Sequence, residues 1–176
     1  INSVLQNEPF YCYLFHLKQL SSCLDEDYET DLYQTSFLHD LFVHVISNPT
    51  CDDLVRMCTQ FVQKPLFKAF STNVLDAELF QDFLCCVSSN LDNADFLQLL
   101  GSFMAYHKAG IAQNKVFQTI ITHSICADSQ HKRLISLDIL QNLNPDEQFS
   151  LLDPLLGECI QDNSEEFFSL YINICP

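Results

Sequence analysis

Asn93-Ala94-Asp95-Phe96-Leu97 opens the stretch whose reading decides the fold, and Gln98-Leu99-Leu100-Gly101-Ser102-Phe103-Met104 completes it. A cap residue and an acid come first. Phe96, Leu99, Leu100, Phe103 and Met104 then recur at helical spacing, which places them on one face of an amphipathic helix. Such an opening satisfies free backbone N–H groups and sets negative charge at the positive end of the helix dipole. The same device is written at Asp76-Ala77-Glu78-Leu79-Phe80, at Asn144-Pro145-Asp146-Glu147 and at Ser164-Glu165-Glu166-Phe167.

Working outward, the pattern predicts about eight to nine amphipathic helices. A first runs from about Pro9 to Cys23, and residues 24–30, with Asp25-Glu26-Asp27-Tyr28-Glu29, form an acidic connector loop. A second ends near Ser47 at Asn48-Pro49, and Thr50-Cys51-Asp52-Asp53 is expected to cap the third. The third carries Leu54, Met57, Cys58, Phe61 and Val62, and Pro65 ends or kinks it ahead of Leu66, Phe67 and Phe70. Stripes centred on Phe83, Phe103, Phe117 and Phe167 mark later helices. Gly110 is the expected C′ residue behind Lys108-Ala109, and Pro154 is placed to split the helix that begins at Pro145.

Composition supports an all-α reading. The 176 residues include only 3 Gly, and hairpin-rich folds need Gly at tight turns. Phe, at 15 against no Trp, is the main large core filler. Hydrophobic residues at 48% and charged residues at 18% describe one globular domain over residues 1–176. The chain opens on Ile1 rather than Met, as expected of a domain excised from a longer chain.

Helix starts from the third onward fall roughly 16 to 18 residues apart, so a helix pair takes about 35 residues, a period used by α-solenoid stacks. The pairs share a pattern but little identity, and they lack the Trp, Gly and Pro signature of tetratricopeptide repeats and the Thr-Pro-Leu-His of ankyrin repeats. The layout resembles the HEAT and armadillo class of α-solenoid scaffolds over most of the chain, in architecture alone. The fold implied by that resemblance is antiparallel helix pairs stacked side by side. The alternative is a compact helical bundle.

A net charge of −15, from 23 acidic and 8 basic residues, counts against direct nucleic-acid binding, which needs clustered Lys and Arg on phosphate. It also counts against docking on anionic membranes. No apolar run approaches the roughly 18 residues of a membrane span. The nine cysteines, Cys12, Cys23, Cys51, Cys58, Cys85, Cys86, Cys126, Cys159 and Cys175, are odd in number and sit mostly on apolar helical faces, so free thiols in a reducing, intracellular compartment (nucleus or cytoplasm) are expected.

Chemistry-bearing motifs are sparse. His123, Cys126, Asp128 and His131 form the best metal-like cluster, but a helix end intervenes and Asp128 is expected to serve as an N-cap, so no metal is assigned. His39 and His44 are wrongly spaced for a shared face, and His39 beside Asp40 reads as a surface pair. Nucleophile elbows, P-loops and dinucleotide fingerprints are missing, and the acid pairs Asp52-Asp53 and Glu165-Glu166 fall in first helical turns. The expectation is a non-enzymatic scaffold or adaptor subunit, without a cofactor, binding proteins that carry a basic or amphipathic segment. Asp82, Asp138 and Glu158, on polar sides of their helices, are the candidate contacts. Tyr11 and Phe15, in a helix apolar nearly all round, are candidates for a second packing face. The alternative is a compact bundle that clamps an amphipathic partner helix in an apolar groove, as Bcl-2-like bundles do, although the Asn-Trp-Gly-Arg signature is missing.

Overall fold

The computed structural model describes residues 37–64, 77–104, 110–156 and 165–174, together with Gln19. The expected first helix with Tyr11 and Phe15, the connector 24–30, the Leu66–Phe70 piece and Glu158 lie outside the described residues. Among the described residues the protein is all-α, with eight helices, two 3-10 turns and no strand. The chain packs as two compact units, Ile1–Cys86 and Val87–Pro176.

In the first unit, α1 (Phe37–Ser47) packs on α2 (Asp52–Val62). Leu41, Phe42 and Val45 of α1 and Leu54, Cys58, Phe61 and Val62 of α2 are buried, as their spacing predicts. Asn48 ends α1: its backbone N–H and its side-chain amide both donate to the His44 carbonyl, each at 3.0 Å. The cap of α2 departs from expectation. Cys51 occupies the N-cap and its thiol makes no cap hydrogen bond, because sulfur is a weak acceptor. Asp52 and Asp53 instead act through the dipole from the first turn, and Asp53 Oδ1 accepts from Arg56 Nη2 at 3.2 Å. Most of α3 (Ala77–Ser89) belongs to this unit, with Phe83, Leu84 and Cys86 buried.

The second unit holds α4 (Ala94–Met104), α5 (Lys115–Ile125), α6 (Gln130–Gln141), α7 (Pro145–Leu152) and α8 (Glu165–Ile174). Its organiser is α6, which packs against α4, α5 and α8, while α7 packs on α8. The α4–α6 approach depends on Gly101. A Cβ there would stand 3.2 Å from Ile139 Cγ1, so the missing side chain lets the two helices close up. Tyr171 of α8 donates its hydroxyl to Asp153 Oδ1 at 3.1 Å and fixes the end of α7.

Local punctuation explains the boundaries. Gly110 takes the left-handed conformation, φ +73°, and opens the 3-10 turn Ile111–Gln113. Asn114 caps α5, its Oδ1 accepting from the N–H groups of Val116 and Phe117 at 2.9 and 3.2 Å. Asn93 Oδ1 accepts from the Asp95 N–H at 2.9 Å at the start of α4. Asn144 and Glu147 form the reciprocal capping box of α7, and beyond it Pro154 sits in the 3-10 turn Asp153–Leu155. One cap was misplaced by sequence reasoning. Ser129, not Asp128, is the N-cap of α6, because Ser129 holds the extended conformation and its Oγ accepts from Lys132 N–H at 3.5 Å. Arg133 seals this turn, with Nη1 donating to the carbonyls of Ala127 at 2.7 Å and Asp128 at 3.3 Å.

Candidate functional site

Helical periodicity sorts each element into a buried stripe and a solvent stripe, so candidate contact residues can be read from the solvent stripes. On α3, Glu78, Asp82, Cys85 and Ser89 are exposed at spacings of four, three and four. Asp82 therefore has an acidic neighbour one turn away, and this face carries concentrated negative charge. On α6 the exposed stripe is His131, Leu134, Asp138 and Gln141. Asp138 is exposed as its position predicts, but Leu134 and Gln141 beside it are uncharged. Its face is mixed rather than acidic.

The second unit also carries a cleft that sequence reasoning missed. It has a volume of about 1020 Å³ and runs along the solvent face of α5, from Lys115 past Thr119 and Thr122 to Cys126. Its far wall is the α5–α6 turn with Lys132, together with Asp92 from the turn before α4. Lys132 is mostly covered, with 14% of its side chain exposed, and its Nζ stands 3.5 Å from Oδ1 of the fully exposed Asp92. Thr119 donates its hydroxyl to the Lys115 carbonyl at 3.0 Å. A signal for this cleft was present in the chain: between Asp95 and Asp138 the only acid is Asp128, against Lys108, Lys115, Lys132 and Arg133.

Three members of the metal-like cluster, His123, Cys126 and Asp128, line this cleft, whereas His131 does not. Among the described residues no group of three or more His, Cys, Asp or Glu is arranged to hold a metal ion. His39 and Asp40 do pair on the surface, Nδ1 to Oδ1 at 3.6 Å. The described thiols are not in disulfide bonds, but fewer are buried than their stripes suggest. Cys58 and Cys86 are buried, Cys51 and Cys126 half-buried, and Cys85 exposed. Adjacent residues on a helix point about 100° apart, which is why Cys85 and Cys86 differ. Burial pushes the Cys58 thiol well above its ordinary range and raises Cys86 as well, so both are held neutral and unreactive.

No family model, curated protein or solved structure matches this chain. Among the described residues, no helix is long and apolar enough to cross a membrane.

Proposed function

We propose that the protein is a non-enzymatic scaffold or adaptor subunit of an intracellular complex, built as an α-solenoid in the HEAT or armadillo manner. The observation that carries this reading is the packing of α6, which contacts its preceding neighbour α5 and the next-but-one helix α4. Stacked helix pairs rest on those two relations repeated along the chain. Each buried stripe is spent on a neighbouring helix, and solvent stripes such as that of Glu78 and Asp82 remain for a partner with a basic or amphipathic segment.

Two measurements test the reading. Small-angle scattering of a solenoid gives a radius of gyration well above the ~16 Å expected of a compact 176-residue bundle, and a value near that figure favours the bundle. Crosslinking mass spectrometry of complexes captured from cells then identifies the partner. Asp82→Lys combined with Asp138→Lys and Glu158→Lys slows its association at low salt and leaves the rate at high salt unchanged. An unchanged on-rate at low salt, with normal folding, rules out the acidic faces as the contact.

A further inference from the structure

We draw no further inference here: the strongest candidate, the cleft along the solvent face of α5 in the second unit, sets Lys115 and Lys132 against Asp92 and Asp128, so its lining is charge-balanced and nothing in the structure shows what covers it.

Discussion

The rings of Phe42 and Phe83 meet edge to face, with centroids 5.9 Å apart and planes at 87°. Both side chains are completely buried, so an aromatic contact joins α1 to α3 among the described residues of the first unit. Phe83→Ala is expected to cost about 3–5 kcal/mol, the range for emptying a buried aromatic site. Phe103 and Phe117 are equally buried and carry the same expectation for the second unit. Urea denaturation midpoints measure it, and near-neutral values would show that the Phe stripes are not the core.

Gly101 is expected to be intolerant of β-branched residues. A Cβ built at Gly101 stands 3.2 Å from Ile139 Cγ1, and Ile139 is wholly buried. Gly101→Val therefore overpacks the α4–α6 contact and destabilises by about 1–3 kcal/mol, despite the better helix propensity of the new residue. Thermal melting of the variant reads this directly. A rise in Tm sinks the claim that the glycine serves close approach.

The capping box of α7 is open to a graded test. Asn144 Oδ1 accepts from the Glu147 N–H at 2.9 Å, and Glu147 Oε2 accepts from the Asn144 N–H at 3.2 Å. Asn144→Ala removes the first of these and loosens the second, for an expected loss of about 0.5–2 kcal/mol. Glu147→Gln keeps the acceptor and is expected to stay within a few tenths of a kcal/mol. Equal losses from the two changes would place the contribution in the Glu147 charge rather than in the reciprocal bonds.

Thiol chemistry separates the described cysteines by burial. Iodoacetamide at neutral pH is expected to label exposed Cys85 first and to reach Cys58 only on unfolding. Because burial raises the folded-state value of Cys58, its contribution to stability is complete below the unfolded thiol value of about 8.5 and is lost as pH rises above it. Mass spectrometry of tryptic peptides against time, together with denaturation midpoints at neutral and alkaline pH, checks both statements. Early labelling of Cys58 in the folded protein contradicts them.

How much of this was legible in the sequence differs from element to element. Stripes such as Phe96, Leu99, Leu100 and Phe103 announce buried faces, since a 3.6-residue period and an apolar side chain leave no other stable orientation. Caps at Asn93 and Asn144 were legible for a similar reason, because their bonds close within three residues. The cap of α6 was not. Asp128 and Ser129 are both good cap residues, and the backbone conformation at the turn chose between them.

What the sequence by itself determined is the local content of the fold: which segments coil, which face of each is apolar and where most of them begin. Only the tertiary structure decided which helices meet, that α6 lies against α4 across Gly101, and that Asp92, Lys115 and Lys132 line a single cleft. Those residues are far apart along the chain, and short-range periodicity carries no record of their meeting. Their proximity arises when several helices bury their stripes together, because each surface then excludes water only in one mutual arrangement.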